Sequence, residues 1–543
     1  MKIRYPAFLI SLLLVAACQP TDEAPSVADD PLSTSMVGGV VALTGRVERA
    51  DGEPMKGARV TAITEGRRVT VFSNADGAFA LPELTARQLE VRADGMQPQR
   101  LDSHADGASI VMEPAIDRAA LLPSSHWLSL LPDGPMRREF TLNCGSCHGI
   151  AHPTVTSAGE FRDEALWLAA MAMMRAVDVY SVIPPDFDDA QYAAWLAEHL
   201  TPAAAAAIAL PQPPADDLLE RLLITEYELP QGDSLPHDLV LGPDGRVWIT
   251  AFFYDQVWGL DPASGDYRKI DIDDDPRINA QARALEFAED GRLWVVNGET
   301  RSVIRLNIET GEYETFDVRM YAHSLDLDTS GNVWVNDYFA AEERIAKVDA
   351  RTGDVTIIGV PRSGRPASEG IPLPYGLQVD GNDRLYSTQL AANTLVVHDT
   401  RTGEARLLAM PAENSGPRRP GLAPDGSLWI PEFNTGHITR FSPETEGFDR
   451  VYLGMPTIGA YDIEVDQRSG IVWTTGSLDS SLFRYDPSSG RIDRIPLPTE
   501  PAYTRHLAID PQTGDVWSAY SSLPPATPRV VRVQMEVAGG GRD

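Results

Sequence analysis

A sevenfold internal repeat fills the second half of the chain and restricts its fold more than any other feature. The segments HDLVLGPDGRVWIT from His237 and HSLDLDTSGNVWVN from His323 are clearly alike. Four strands fit into each unit of this length, and seven such sheets can bury their faces against one another in a ring. The repeat therefore predicts a seven-bladed β-propeller over residues 222–538. Its marker aromatic residue recurs at spacings of 46, 40, 52, 43, 44 and 44 residues, at Trp248, Trp294, Trp334, Tyr386, Trp429, Trp473 and Trp517.

The ends of the repeat region predict how the ring closes. Six units finish with an outer-strand segment, such as residues 267–272 or 313–318, whereas the last unit ends at 530–537 without one. A segment of the same character, residues 224–229, precedes the first unit. We expect it to complete the seventh blade, because joining the two ends removes exposed strand edges.

The repeats resemble the streptogramin (virginiamycin B) lyase family, whose blades read roughly Pro-His-Gly-Ile, then Asp-Gly, then Trp-Phe-Thr-Glu. The resemblance implies a seven-bladed ring in which a histidine base and magnesium-binding carboxylates open a cyclic ester by elimination. Here only one blade keeps both a histidine and a carboxylate, His323 with Asp337. A lyase would use His323 as the base, with Asp337 and Glu432 holding magnesium, but this departure puts that activity in doubt.

Antiparallel pairing brings the histidine position of each blade to the same end as the glutamate position. Seven blades then surround one mouth of the central channel with polar side chains. Such a ring suggests a binding site for an anionic or polyoxygenated ligand, with His237 and His323 as candidate bases. The alternative is a set of solvated loop residues. The first positions are His237, Arg283, His323, Tyr375, Arg418, Tyr461 and Arg505, and the second are Ala251, Asn297, Asp337, Gln389, Glu432, Gly476 and Tyr520.

The run Cys144-Gly145-Ser146-Cys147-His148 has the spacing of a c-type haem attachment motif. Both thiols would bind the porphyrin and the imidazole of His148 would bind the iron. A redox dithiol and half of a zinc site are the alternatives, although no further cysteine is available for zinc in the mature core. This motif predicts one covalent haem c in a small helical domain, residues 114–203.

The sixth iron ligand is expected on the helix that contains Met171, Met173 and Met174. The segment FRDEALWLAAMAMMR resembles single-haem cytochrome domains, in which a methionine follows a tryptophan by seven residues. The resemblance places that pair at Trp167 and Met174, so Met174 is the preferred ligand. The alternative is that all three methionines fill gaps in a core. His152 is one turn beyond His148 and is not expected to bind iron.

The N-terminus has the features of an export signal, with Lys2 and Arg4 ahead of an apolar run. The stretch Val15-Ala16-Ala17-Cys18 resembles a bacterial lipobox, which implies cleavage after residue 17 and acylation of Cys18. An ordinary signal peptide with a chance cysteine is the alternative. Residues 19–38 are rich in Pro, Asp, Ser and Thr and predict a disordered tether. We expect a lipid-anchored protein on the periplasmic face of the outer membrane.

Residues 39–113 alternate in hydrophobicity between Asp-Gly turns, which is typical of hairpins. The pattern around Gly45, Gly57 and Asp76-Gly77 resembles the carboxypeptidase regulatory-like domain, a small β-sandwich that we interpret as a spacer or docking module. Residues 204–221 are predicted to be a linker and 539–543 a tail. The chain is thus predicted to be multidomain and mainly β: a β-sandwich, a small all-α cytochrome c domain and the propeller.

The sequence favours a periplasmic redox protein whose propeller binds a small organic substrate or a redox partner protein. The net charge of −32, from 46 basic and 78 acidic residues, disfavours nucleic acid as a partner. No motif indicates a second cofactor able to accept an electron pair. The alternatives are the magnesium-dependent lyase and a non-catalytic binding or redox-sensing lipoprotein.

Overall fold

The structure, a computed structural model, describes residues 41–84, 88–102, 107–145, 148–177, 183–210, 217–232, 234–273, 275, 277–339, 343–366, 369–521 and 527–535. The predicted export signal with Cys18, the tether, the tail and the motif residue Cys147 lie outside these ranges. Among the described helices, none has the length and apolar character needed to cross a membrane.

The second half of the chain forms the predicted ring of four-stranded antiparallel sheets. In each complete blade the first strand lies nearest the channel and the next three follow outward in chain order. Blades 1 to 3 comprise β11 Pro236–Leu241, β12 Val247–Ala251, β13 Gln256–Leu260 and β14 Tyr267–Asp271; β15 Ala282–Phe287, β16 Leu293–Asn297, β17 Ser302–Leu306 and β18 Tyr313–Asp317; and β19 Ala322–Leu327, β20 Val333–Asp337, β21 Arg344–Val348 and β22 Val355–Gly359.

Blades 4 to 6 have the same order. They comprise β23 Pro374–Val379, β24 Arg384–Gln389, β25 Thr394–Asp399 and β26 Ala405–Ala409; β27 Gly421–Leu422, β28 Leu428–Glu432, β29 His437–Ser442 and β30 Gly447–Tyr452; and β31 Ala460–Val465, β32 Val472–Gly476, β33 Ser481–Asp486 and β34 Arg491–Pro496. The repeat tryptophans lie on the second strands and are buried between blades; Trp248 and Trp294, for example, have almost no exposed area.

The seventh blade closes the ring as the sequence predicts. It combines the last three strands, β35 Thr504–Ile509, β36 Val516–Tyr520 and β37 Arg529–Met535, with β10, Leu222–Glu228, from before the first blade. Strand β10 pairs antiparallel with β37 over its whole length, from Leu222 opposite Met535 to Glu228 opposite Arg529. The two ends of the propeller are therefore joined by a continuous hydrogen-bond ladder.

The N-terminal region forms two sheets around a core of its own. One contains β1 Val41–Arg49, β4 Ala78–Leu84 and β7 Ala108–Met112, and the other contains β2 Arg59–Ile63, β3 Arg67–Phe72, β5 Gln88–Arg92 and β6 Gln99–Asp102. The sequence predicts the β domain but not its attachment, because β3 pairs antiparallel with β10 and Ile224 lies opposite Thr70. Blade 7 and this domain thus share one eight-stranded sheet.

Buried charged side chains stabilise the joint between the N-terminal β domain and blade 7. The carboxylate of Glu226 on β10 accepts from Arg68 Nε at 3.2 Å and from the hydroxyl of Tyr520 on β36. Arg68 also donates to Glu90 at 3.2 Å. Several hydrogen-bond donors offset the desolvation free energy of the buried Glu226 carboxylate. Because these donors come from both the β domain and blade 7, the network fixes the two to each other.

Between the N-terminal β domain and the propeller, the chain forms a helical unit, which we define as residues 119–210. Its six described α-helices are α1 Ser124–Ser129, α2 Pro135–Cys144, α3 His152–Val155, α4 Glu164–Val177, α5 Asp189–His199 and α6 Pro202–Ala206, with a short pair β8 Thr156–Ser157 and β9 Glu160–Phe161 beside them. Side-chain oxygens of Asp188 and Thr201 cap α5 and α6. Helix α6 occupies the beginning of the predicted linker.

The helical unit packs against the end of the propeller where the first strands of the blades begin. Its core side chains, including Trp127 and Phe140, form one apolar cluster with propeller aromatics such as Tyr375, Tyr461 and Tyr503. Ser125 is anchored three times: its N–H donates to Leu478 O at 2.7 Å, its hydroxyl donates to Asp479 at 2.5 Å, and its carbonyl accepts from Thr457 at 2.7 Å. The unit therefore covers the predicted mouth.

Candidate functional site

The strand registers bring the two sets of ring positions to one end of the propeller. Ala322, just before His323, lies opposite Asp337, and Pro236, just before His237, lies opposite Ala251. All seven first-position side chains are buried, with 0 to 9% of their area exposed. They are therefore neither solvated loop residues nor the lining of an open mouth, because the helical unit lies over them.

His237 forms a hydrogen-bonded pair with the residue that follows it. Its Nδ1 lies 2.6 Å from Asp238 Oδ1, and the other carboxylate oxygen accepts from Arg419 Nη1 at 2.5 Å. Burial lowers the pKa of His237 to about 3, despite the opposing charge of Asp238. The imidazole is therefore neutral near pH 7, with Nδ1–H donating to the carboxylate and Nε2 retaining its lone pair. The low pKa makes this buried imidazole a weak base as long as water is excluded from it.

His323 lies beside His237, with ring centroids 5.5 Å apart, and against Tyr375, at 4.0 Å. Its Nδ1 is within hydrogen-bond distance of Ser324 Oγ and of the Tyr375 carbonyl oxygen. Its Nε2 is buried and has no hydrogen-bond partner among the described residues. Burial holds the pKa of His323 well below its usual value. The structure thus brings together the two histidines that the sequence nominates as bases.

Asp337 and Glu432, the two carboxylates that would hold magnesium in a lyase, are paired with arginines. Asp337 accepts from Arg344 Nε at 2.6 Å, and Glu432 accepts from Arg450 Nε and Nη2 at 2.9 and 2.6 Å. Glu432 also accepts from Thr439 at 2.5 Å. Within the described ranges no group of three or more His, Cys, Asp or Glu residues is arranged to hold a metal ion. These carboxylates form ion pairs within their own blades.

The ring arginines are packed between aromatic rings. Arg283 donates to Tyr321 Oη through Nε and Nη2, at 3.2 and 2.6 Å, and lies 5.1 Å from the ring of Phe252. The Arg418 guanidinium lies 3.8 Å from the ring of Phe433 and 4.2 Å from that of Tyr461. Cations on aromatic faces are stabilised when water is excluded, so the covered ring tolerates these buried charges.

Arg505 has the same surroundings, since its guanidinium lies 4.5 Å from the ring of Tyr503. The hydroxyls of Tyr375 and Tyr461 are hydrogen-bonded to each other, and the ring of Tyr461 lies 6.2 Å from that of Tyr503. The hydroxyl of Tyr503 donates to Gly145 O at 3.0 Å. Buried aromatic residues therefore connect the ring to the segment that contains the cysteine motif.

The described part of that motif has the features that an iron-binding imidazole needs. Cys144 ends α2 and is half-buried, and His148 is half-buried as well. The Nδ1 of His148 lies 2.9 Å from the carbonyl oxygen of Gly149, which favours the tautomer with a bare Nε2. Burial lowers the pKa of His148, which keeps the ring neutral. The residues present therefore fit a haem c attachment site.

The methionine candidates lie along α4. Met171 is buried in the core shared with the propeller, whereas Met173 and Met174 are half-buried. Trp167, paired with Met174 by resemblance, is buried in that same core. His152 packs on Trp127, with ring centroids 6.2 Å apart, and its Nε2 lies 3.8 Å from Asp117.

Sequence reasoning missed several residues of this site. Asp238 and Arg419 each follow a ring position directly, so the repeat itself could have identified them as a second layer. Tyr503 and Tyr321 come just before first strands, in the connections between blades. Their roles depend on the position of the helical unit, which no sequence pattern indicates.

Comparisons with known proteins agree with the fold. The carboxypeptidase regulatory-like domain model matches residues 42–111, which confirms the resemblance of the N-terminal β domain to that family. A streptogramin B lyase structure is similar with a TM-score of 0.52 at 18% identity, covering 59% of this chain and 100% of that chain. Virginiamycin B lyase from Staphylococcus aureus has a TM-score of 0.50 at 17% identity, covering 58% and 99%. At such identities the likeness shows the propeller fold alone. No curated protein matches the chain.

Proposed function

We propose that the chain is an exported, lipid-anchored haem c protein that transfers electrons between its helical unit and a substrate or partner of the propeller. One observation supports the proposal: Tyr503 of the propeller donates a hydrogen bond to Gly145, the residue that follows Cys144. A haem attached there would lie beside the propeller rather than on a separate, loosely linked domain.

Haem attachment is supported by the residue types and the spacing of Cys144, Cys147 and His148. Cys144 and Cys147 would form the thioether bonds, His148 Nε2 would bind the iron, and Met174 would supply a thioether to it. When bound, a haem iron accepts or donates one electron at a time, and a thioether ligand raises its reduction potential. The protein contributes the tautomer of His148, whose ring is half-buried.

Side chains of the propeller would accept the protons that are released during substrate oxidation. Oxidation of a small organic molecule releases protons with its electrons. Burial lowers the pKa of His237 and of His323, so these imidazoles would accept protons only after the helical unit moves and water reaches them. Asp238 holds His237 in the required tautomer and would stabilise its protonated form. Arg283, Tyr375, Arg418, Tyr461 and Arg505 would bind anionic or oxygen-rich groups of such a molecule once it has entered beneath the helical unit.

The test is a screen of organic substrates with the mature, haem-loaded chain, in which reduction of the haem is followed by its absorption spectrum. One compound class should reduce the haem. His237→Ala and His323→Ala should abolish that reduction without changing the spectrum of the oxidised protein. His199→Ala, on α5, is the matched control and should behave as the wild type.

The burial of the ring favours a second candidate, a non-catalytic lipoprotein whose haem senses redox state. With all seven ring side chains covered, a small molecule needs the helical unit to move before it can reach them. This candidate predicts reduction by partner proteins and no turnover with any compound of the screen. The magnesium-dependent lyase has no comparable support, because Asp337 and Glu432 are paired with arginines.

The proposed location rests on residues 1–18. Acyl chains on Cys18 would anchor the protein stably, and the acidic tether would carry the folded part away from the membrane. Cys18→Ala should shift the protein from the membrane fraction to the soluble periplasmic fraction. Recovery of the wild-type protein in the soluble periplasmic fraction would contradict a lipid anchor.

A further inference from the structure

A cleft of about 700 Å3 lies open between helix α2 of the helical unit and blade 5 of the propeller. Asp133, Arg137 and Arg138 line it on one side, and Asn434, His437 and Tyr452 line it on the other. Its volume is in the range of small-molecule sites. None of the first- and second-position residues of the blades lines this cleft, so it is separate from the propeller mouth that the helical unit covers.

On its α2 side the cleft has two arginines and one aspartate, while Glu413 adds a carboxylate elsewhere in its lining. Arg137 Nη2 and Arg138 Nη1 lie 2.5 and 3.6 Å from the same carboxylate oxygen of Asp133. Arg137 is buried, with 4% of its area exposed, and its Nε has no hydrogen-bond partner among the described residues; the same is true of Arg138 Nε. Two guanidiniums thus share one carboxylate that is itself mostly exposed to solvent. A second carboxylate, from a ligand, would complete the pairing.

The opposite wall offers a flat aromatic surface. Tyr452, with 46% of its area exposed, is among the few large apolar side chains exposed in the described structure. It packs against His437, with ring centroids 4.9 Å apart. Next to them, Asn434 is buried and its amide Oδ1 has no hydrogen-bond partner in the described part of the chain. An aromatic ring can stack on Tyr452, and a hydroxyl on that ring can donate to the amide oxygen.

We propose that this cleft binds a small aromatic carboxylic acid. The carboxylate lies between Arg137 and Arg138, the ring packs on Tyr452, and a ring hydroxyl reaches Asn434. Arg450 does not contribute, because its charge is matched by Glu432. Binding at this site requires no haem.

The cleft adjoins the cysteine motif along α2. Arg138 precedes Cys144 by six residues of this helix, which corresponds to about 9 Å along its axis. A ligand in the cleft would therefore lie near the haem attachment segment without contacting the buried ring. This position is accessible from solvent, unlike His237 and His323.

The test measures the binding of 4-hydroxybenzoate to the full mature chain by titration calorimetry. Binding should weaken at least about tenfold in Arg138→Gln and in Tyr452→Ala, and 4-hydroxybenzamide should bind at least about tenfold more weakly than the acid. Arg468→Gln, a surface arginine of blade 6, is the control and should bind as the wild type does. Circular dichroism of each variant checks that the fold is intact.

Three results would overturn the proposal: no binding of 4-hydroxybenzoate at millimolar concentration, equal binding of the amide, or unchanged binding in both cleft variants. The outcome is independent of the haem. A colourless protein that binds the acid would refute the proposed electron transfer and support the proposed binding in the cleft. A haem-loaded protein that fails to bind the acid would refute the binding proposal and leave the electron-transfer proposal standing.

Discussion

The hydroxyl of Tyr503 donates a hydrogen bond of 3.0 Å to the carbonyl oxygen of Gly145, across 358 residues of sequence. Tyr503 lies directly before the first strand of the last blade, and Gly145 lies between the two cysteines of the Cys144–His148 motif. Both residues are buried. This contact and the shared apolar core make the helical unit and the propeller one packed body.

Loss of that contact should be measurable. Tyr503→Phe keeps the ring but leaves the Gly145 carbonyl buried without this donor, which should reduce the free energy of unfolding by about 1–3 kcal/mol. Denaturant titration measures the loss. Tyr485→Phe, at a half-buried position on β33, should change the unfolding free energy by less than about 0.5 kcal/mol. Equal stability of the two variants would mean that the contact contributes nothing.

The joint between blade 7 and the N-terminal domain should depend on Glu226. Glu226→Ala leaves Arg68 with only part of its buried ion-pair network and removes the acceptor of Tyr520, so we expect a loss of about 3 kcal/mol in unfolding free energy. Glu228→Ala, two residues along β10 and exposed, is the control and should lose less than about 1 kcal/mol. Similar losses would show that the buried network does not hold the joint.

The carboxyl of Glu286 should make stability depend on pH. Desolvation, with the nearby charge of Asp326, raises the pKa of Glu286 from 4.5 to about 8. Between these values the folded protein keeps a proton that the unfolded chain releases, so stability falls as pH rises through this window. Glu286→Gln removes the effect, and its stability relative to wild type should be greater at pH 8 than at pH 5.

Thermal unfolding at several pH values measures this trend. Glu289→Gln, on the exposed turn that follows, is the matched control and should parallel the wild type. A Glu286→Gln variant whose difference from wild type is the same at pH 5 and pH 8 would contradict a raised pKa.

The identity of the sixth iron ligand can be tested on α4. Under the proposed haem attachment, Met174→Leu should abolish the methionine-to-iron charge-transfer absorption and lower the reduction potential, because the thioether stabilises the reduced iron. Met171→Leu and Met173→Leu should keep that absorption. If Met173→Leu abolishes it and Met174→Leu does not, the ligand assignment moves to Met173.

The sequence predicts the propeller well because its signal is local and repeated. Each blade has its own alternation and turn residues, and the closing strand β10 was recognised because the last unit ends without an outer strand. Helix α4 likewise has an apolar pattern of its own. These elements depend on neighbours that are close in sequence, which is the information that periodicity contains.

The arrangement of the units was not predictable in the same way. The pairing of β3 with β10 joins residues more than 150 positions apart, and Arg419 meets Asp238 across 181 residues. The strand registers bring the ring positions to one end of the propeller, but no pattern in residues 119–210 specifies which surface those residues contact. The cleft at Arg138 and Tyr452 exists only through that contact.

The central claim is the covalent haem at Cys144 and Cys147, and the most direct measurement is the intact mass of the purified mature chain, taken with its pyridine haemochrome spectrum after export with haem-maturation machinery. The account predicts a coloured protein heavier than the lipidated polypeptide by one haem, and a colourless Cys144→Ala/Cys147→Ala variant without that mass. A correctly exported wild-type protein that is colourless and has no added haem mass would contradict it.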